Sequence, residues 1–405
     1  MNRIKNQKTI SGAKDNPVNS VNPVSKIRQL VPLFLNWFAT NARDLPWRRT
    51  RDPYAIWVSE IMLQQTQVKT VIPFWNRWLR ELPTIEAAAK APSAKIHKLW
   101  EGLGYYTRVR NLQKAAQQIV AQQTSDRRRG DESQTKNKLE TPHVVSYKFP
   151  EDYDDVLALP GIGRYTAGAI CSIAFNQPKP LLDGNVIRVI TRIFGIAENP
   201  KEKQTNAQLW QLAEELVSRA ATEKPKNACS HLNQSLMELG ALVCTSRNPQ
   251  CLICPVKKLC VAFKENRTEE LPNLGKREAA TARHFLAFVV EQNGKFLVRQ
   301  RPAGVVNAHL WEFPNVESAE AKPDAKGIFK DIFEIAPPEV QLLCTVKHSI
   351  TRYRITLRAF AVSLEKLPKK TDGVWKTPAQ MQLLAFSSAH KKLATAAAQS
   401  ILSDR

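Results

Sequence analysis

Val156-Leu157-Ala158-Leu159-Pro160-Gly161-Ile162-Gly163-Arg164-Tyr165-Thr166-Ala167-Gly168-Ala169-Ile170-Cys171 reads as two helices joined by a very short turn. One helix ends near Leu159, Pro160 to Gly163 makes the turn, and the next helix starts near Arg164. Glycines there keep the turn compact and let a ligand approach the backbone closely. The free N–H groups at the start of the second helix favour an anion. Such a hairpin grips one phosphate without reading base sequence. A plain helical hairpin carries the same pattern, so the assignment needs its surroundings.

Those surroundings are strongly basic. Lys and Arg number 59 against 37 Asp and Glu, a formal net charge of +22 in 405 residues. That surplus draws polyanions and names no chemistry. Residues 1–25 are rich in Asn, Lys and Pro and read as a disordered tail. Helical periodicity begins at Ile27 and persists to about Ala262, interrupted at 124–148 by a polar, arginine-bearing insertion. A polar linker at 269–282 follows. Short apolar runs such as Phe285 to Val290, Phe296 to Val298 and Arg354 to Val362 then give a β-rich pattern, closed by a helix from His390. The expectation is a mostly α domain over 26–268 and a smaller α+β domain over 283–405. No signal peptide is evident, and no apolar run approaches the roughly 18 residues of a membrane span. A cytoplasmic protein without membrane association follows from this reading.

Four of the seven cysteines fall close together as Cys244-x6-Cys251-x2-Cys254-x5-Cys260, with Pro249 and Pro255 between them. Turn-forming residues between thiols let the chain wrap a metal group. Zinc and iron–sulfur clusters both accept four thiolates, and the spacing leaves the choice open. Cys171, Cys229 and Cys344 read as ordinary buried thiols.

Two carboxylates stand out. Trp57 to Leu79 reads as one long, largely buried helix. Glu60, Gln64 and Gln67 lie on one narrow polar strip, and Gln65 falls nearer the apolar side, where it can protrude at the end of a groove. A carboxyl on such a helix loses solvation, its pKa rises, and it becomes a proton donor. The second is Asp183 in Leu182-Asp183-Gly184-Asn185-Val186. It fits the N-cap of the following helix, and equally an anion set beside a developing sugar cation.

Taken in order, Pro46-Trp47-Arg48, Trp57 to Gln67, Gly102-Leu103-Gly104-Tyr105-Tyr106, the Leu159 to Gly163 hairpin, Leu182 to Val186 and the cysteine spacing closely resemble the MutY-type adenine DNA glycosylases of the helix-hairpin-helix, iron–sulfur superfamily. The resemblance covers residues 28 to 262. It implies base excision repair: adenine mispaired with 8-oxoguanine or guanine is flipped from double-stranded DNA and its N-glycosidic bond hydrolysed. It assigns Glu60 to protonate adenine at N7, Asp183 to stabilise the sugar cation, and Tyr165 and Asn185 to position acid, water and sugar. Gln64, Gln65 and Tyr105 would meet DNA where the mispair opens, and Gly161 and Gly163 would hold the phosphate. The four cysteines would ligate a 4Fe–4S cluster. The enzyme would act as a monomer at the nucleoid.

Related enzymes that also nick the strand carry a lysine at the Tyr165 position, which forms a Schiff base. Tyrosine cannot, so the resemblance implies a monofunctional glycosylase. The C-terminal region resembles the family's Nudix-like domain through Phe296 to Arg301 and Leu310 to Pro314. The acidic run of true Nudix hydrolases is missing from Val316 to Gly327, which implies recognition without hydrolysis. Where many members carry Phe-Ser-His, this chain has Lys347-His348-Ser349, so His348 and Ser349 become the residues expected to read the damaged base. Two alternatives use the same scaffold: a mismatch glycosylase for another base, and a non-catalytic DNA-binding iron–sulfur protein. The metal is the quickest point to check. Purified protein is expected to carry iron and a broad visible absorption that bleaches on reduction or cluster loss; a colourless protein holding zinc would overturn the cluster assignment.

Overall fold

The computed structural model describes residues 23–132, 147–276, 278–320, 323–350, 352–366 and 372–403. The tail at 1–22 and the middle of the insertion, 133–146, lie outside the described residues. The helices are α1 (Pro23–Asn41), α2 (Pro53–Leu63), α3 (Val68–Glu81), α4 (Ile85–Lys90), α5 (Ser93–Trp100) and α6 (Thr107–Glu132), followed by α7 (Tyr153–Leu157) and α8 (Arg164–Phe175). Then come α9 (Gly184–Phe194), α10 (Lys203–Ala220), α11 (Ala228–Leu242) and α12 (Val261–Lys264). The α6 helix carries into the stretch expected as a solvated insertion, consistent with its helix-favouring Gln, Arg and Glu content.

The chain divides into two compact units: Met1–Ala42 with Pro178–Asn273, and Arg43–Gln177 with Leu274–Arg405. In the first, Leu30 and Phe34 of α1, Val189 and Ile190 of α9, and Leu232 and Leu236 of α11 are all buried. The Ser235 hydroxyl donates to Phe34 O at 3.0 Å, tying α11 to α1.

In the second unit α2 is the central helix. Asp52 caps it by accepting from Tyr54 N, and Pro53 starts it without leaving a donor unmet. Trp57, Trp78 and Trp100 are fully buried around it, with Trp78 and Trp100 edge to face at 5.8 Å. The expected single helix from Trp57 to Leu79 is corrected here: it breaks at Gln64–Gln67, where Gln65 takes φ +55°. The break is stable because the carbonyls it frees are taken. The Arg108 guanidinium donates to Ile61 O at 2.9 Å, Met62 O at 3.0 Å and Gln64 O at 2.5 Å.

The same unit carries a mixed sheet of β1 (Thr281–Gln292), β2 (Lys295–Gln300), β3 (Trp311–Glu312), β4 (Asn315–Ser318), β5 (Gln341–Ile350), β6 (Tyr353–Ser363) and β7 (Val374–Lys376). Its order is β3-β2-β1-β6-β5, with β4 on β1 and β7 on β2. The β1 and β6 strands run parallel, Phe285 opposite Leu357, and β5 returns antiparallel to β6. One face packs on α15 (Ser388–Ser403) through Phe296, Val298 and Leu393. The other packs on α13 (Ala325–Phe333) through Phe288, Phe329 and Phe333; α14 (Pro378–Gln382) lies before α15. Lys347 to Ile350, expected as a loop, is the end of β5, with His348 opposite Ile355.

Glu312 fixes the loop that leads into β3. Its carboxylate is buried and pairs with Arg299 at 3.0 Å and with Arg301. The Arg301 Nε in turn donates to Val306 O at 2.8 Å. Burial alone would raise the Glu312 carboxyl, but Arg301 and the Asn315 side chain outweigh it and hold it below its ordinary value. Breaking a buried pair on one side costs about 3 kcal/mol, so Glu312→Gln is expected to lower thermal stability markedly near neutral pH. Because the folded pKa is depressed, the wild-type advantage is full above the ordinary glutamate value of about 4.3 and fades as pH falls through the lower folded value. Unfolding scans of the two proteins should converge in acid, and a pH-independent gap would contradict the ion-pair account.

Candidate active site and cluster loop

Glu60 sits on α2 with only 4% exposure, among Trp57, Val58, Ile61 and Met62, which are equally buried. The Tyr165 hydroxyl, from the first turn of α8, donates to Glu60 Oε2 at 2.8 Å. The Gln64 amide, from the C-terminal cap of α2, reaches Thr166 Oγ1 at 3.4 Å. The expected polar strip is therefore real up to Gln64, where it meets the helix of the hairpin; Gln65 and Gln67 leave it at the break and are exposed.

The hairpin turn is as the sequence implied. Gly161 has φ +79°, and a Cβ added there would lie 2.6 Å from Asn111 Cβ, so the turn excludes any side chain at this point. Gly163 is the N-cap of α8, exposed, with no side chain bonded over the helix start and open space around it. A phosphate oxygen can reach the backbone N–H groups there.

Gln65 and Tyr105 share an unusual property: both have positive φ, +55° and +46°, and both are exposed. One guanidinium joins their loops. Besides the carbonyls below Gln65, Arg108 donates to Leu103 O at 2.9 Å and Gly104 O at 3.1 Å, and lies 5.7 Å from the Tyr105 ring centre. Burial lowers Arg108 to about 10, which leaves it cationic at neutral pH. Sequence reasoning missed Arg108. The signal was faint: one arginine on the first turn of a helix, directly after a glycine-rich loop.

In the other unit, Asp183 does cap its helix. Its Oδ1 accepts from Val186 N at 2.7 Å, and its Oδ2 accepts from the Asn185 amide at 2.9 Å. Burial raises the Asp183 carboxyl, with these hydrogen bonds opposing. The Arg188 side chain donates to Asn185 Oδ1 at 2.8 Å, to Gly240 O at 2.7 Å and, through Nε, to Cys244 O at 2.7 Å. Asp183 is thus linked through Asn185 and Arg188 to the backbone of the first cysteine. Arg188, too, was missed, because its spacing from Asp183 reads as an ordinary helix position.

Cys244, Cys251, Cys254 and Cys260 line one small cavity with Arg192 and apolar neighbours. Burial raises the thiols of Cys251, Cys254 and Cys260, that of Cys254 to about 12, so a positive group is needed to hold them as thiolates. Among the described residues no three His, Cys, Asp or Glu side chains are placed to hold a single metal ion. Arg192 is fully buried and donates to Cys244 Sγ at 3.4 Å and to Thr245 O at 2.7 Å. Buried Lys26 donates to Ile193 O at 2.7 Å beside it. These cations suit the net negative charge of a thiolate-bound cluster.

Comparison with known proteins places this geometry. Residues 58–215 match the HhH-GPD superfamily base excision DNA repair proteins. Residues 244–260 match the iron-sulfur binding domain of endonuclease III, and residues 286–396 match the NUDIX domain. The adenine DNA glycosylase of Rattus norvegicus is 33% identical over 89% of this chain and 76% of its own length. This chain belongs to the adenine DNA glycosylases. The Homo sapiens enzyme is also 33% identical, over 89% of this chain and 72% of its own length. Among solved structures, a thermostable thymine-DNA glycosylase is 29% identical, with a TM-score of 0.49, covering 59% of this chain and 97% of that one. The chain is a mostly helical glycosylase with an iron–sulfur loop, followed by a Nudix-like α+β domain. It acts on DNA, removing adenine in base excision repair by hydrolysing the N-glycosidic bond, and it binds a 4Fe–4S cluster. Among the described residues no helix is long and apolar enough to cross a membrane.

The hairpin supplies a direct test. At Gly161 an alanine must hold a left-handed backbone, costing about 1–2 kcal/mol, and must also displace Asn111. Gly161→Ala is expected to weaken binding to undamaged duplex about tenfold in a fluorescence anisotropy titration. Unchanged affinity in a folded variant would remove the hairpin from the DNA interface.

Proposed function

We propose that this glycosylase acts on adenine paired with 8-oxoguanine or guanine, as a monomeric, monofunctional enzyme at the nucleoid. The organisation proposed is a glycosylase domain over 26–268, a linker at 269–282 and a lesion-reading domain over 283–405. The observation that carries the chemistry is the buried Glu60 carboxyl with the Tyr165 hydroxyl on it at 2.8 Å.

In this reading the hairpin holds a phosphate while Gln65 and Tyr105 enter the stack where adenine leaves it, offsetting an unstacking cost of a few kcal/mol that is least at a mispair. Glu60 gives its proton to adenine N7. The C1′–N9 bond then breaks, its electron pair leaving with the base, and the sugar becomes a cation. Asp183 supplies the opposing charge; Asn185 holds its Oδ2. Water adds at C1′ and returns a proton to the Glu60 carboxylate, leaving an abasic site. Tyr165 has no amine with which to form a Schiff base, so the strand stays intact. Cys244, Cys251, Cys254 and Cys260 would hold the cluster, which ties the 244–260 loop into one piece.

For the opposite base, the 104–107, 348–350 and 387–389 segments line a cavity of about 320 Å³, within the usual range for small-molecule pockets. His348 Nδ1 is buried there with no hydrogen-bond partner among the described residues. Burial lowers the His348 pKa, and nearby Lys392 lowers it further, which favours the neutral ring. A neutral imidazole nitrogen can accept from the N7–H that 8-oxoguanine has and guanine lacks. Ser349 supplies a second polar group in the same wall.

Single-turnover release of adenine from duplexes bearing 8-oxoguanine or guanine opposite tests the whole reading. Glu60→Gln is expected to cut the rate on the order of 10³-fold with duplex affinity nearly unchanged. Borohydride should trap no covalent complex with DNA. Full activity in the variant would dismiss Glu60 as the acid, and efficient trapping would dismiss water as the net nucleophile.

A further inference from the structure

Glu101 stands directly before the 102–105 loop, immediately after α5, and is buried. Its carboxylate takes three donors. Lys98 of α5 donates to Oε2 at 2.9 Å, Lys391 of α15 donates to Oε2 at 2.5 Å, and the Phe386 N–H donates to Oε1 at 3.0 Å. Two of the three come from the Nudix-like domain. Around them Lys98 also donates to Leu384 O at 2.9 Å, and Tyr106 OH to Phe386 O at 3.4 Å. Leu310 and Ala385 join Trp100, Leu103 and Tyr106 in a single apolar cluster.

The placement matters because both ends of this clamp run straight into the cavity walls. Three residues beyond Glu101 the chain enters the 104–107 wall; one residue beyond Phe386 it enters the 387–389 wall. We propose that Glu101 is a positioning residue for lesion reading: one buried carboxylate sets the spacing between the wedge loop and the Nudix-like wall of the cavity that receives the opposite base. The inference rests on the cavity's role proposed above. A buried carboxylate is costly to leave short of its donors, so the clamp resists the small splaying that would let guanine and 8-oxoguanine fit alike. The hydrogen bonds that make the clamp run among Lys98, Glu101, Phe386 and Lys391, outside Glu60, Tyr165 and the hairpin turn, and excision itself can proceed without them.

The test uses the full holoenzyme, with rates corrected for active fraction by product-burst titration. Glu101→Gln keeps the shape and removes the charge. Lys391→Met removes only the Nudix-side ammonium, at a half-exposed position that tolerates change. Both are expected to reduce the ratio of rates on 8-oxoguanine–adenine and guanine–adenine duplexes at least fivefold, with the guanine–adenine rate within twofold of wild type. In Glu101→Gln, hydrogen exchange at the Phe386 amide should accelerate. Slowing of both rates by one common factor would mean a general structural role and overturn the proposal. So would an unchanged ratio with a loosened Phe386 amide, or an amide that exchanges no faster. A wild-type enzyme without preference for 8-oxoguanine would instead remove the cavity's assigned role, and the clamp's purpose with it.

Discussion

An acid group held out of water is the constraint on which the rest of this structure depends. Glu60 belongs to a helix whose neighbouring positions are Trp, Val, Ile and Met, all buried. A carboxyl in that setting is costly to bury unless it is hydrogen-bonded. Around it the fold must provide a partner that tolerates burial. The Tyr165 hydroxyl is that partner, bonding the carboxyl without bringing a second charge into the interior. A lysine at the same place would pair with the carboxylate and favour its ionised form, and would bring a nucleophile of its own.

Much of this was legible in the residues. The hairpin could be read because Pro160-Gly161-Ile162-Gly163 is a local instruction: the left-handed glycine and the open helix start follow from residue type alone. The cysteine loop was legible from spacing, which left zinc and a cluster both open; the resemblance implied a cluster, and the match of residues 244–260 to an iron-sulfur binding domain bears it out. Asp183 could be read two ways, as a helix cap and as a functional anion. The structure shows the cap on one oxygen while the other oxygen faces Asn185, so neither reading excludes the other.

What escaped the sequence was long-range. The apolar periodicity of Trp57 to Leu79 continues through the break at Gln64–Gln67, since both helices bury the same face. Only the partner 44 residues further on, Arg108 against Gln64 O, shows why the chain turns there. Nothing in the residues around Glu101 marks it out; two donors from the other end of the chain do. The strand that carries His348 was hidden for a similar reason: its burial alternates only weakly, and its pairing with β6 decides the conformation.

Arg108 has a consequence beyond holding two loops together. Its close acceptors at Ile61, Met62, Gln64, Leu103 and Gly104 are main-chain oxygens, with the Thr66 hydroxyl further off at 3.4 Å. Main-chain acceptors are the same whatever side chain sits above them. The protruding residues of both loops can therefore be exchanged in evolution while the frame that presents them stays put.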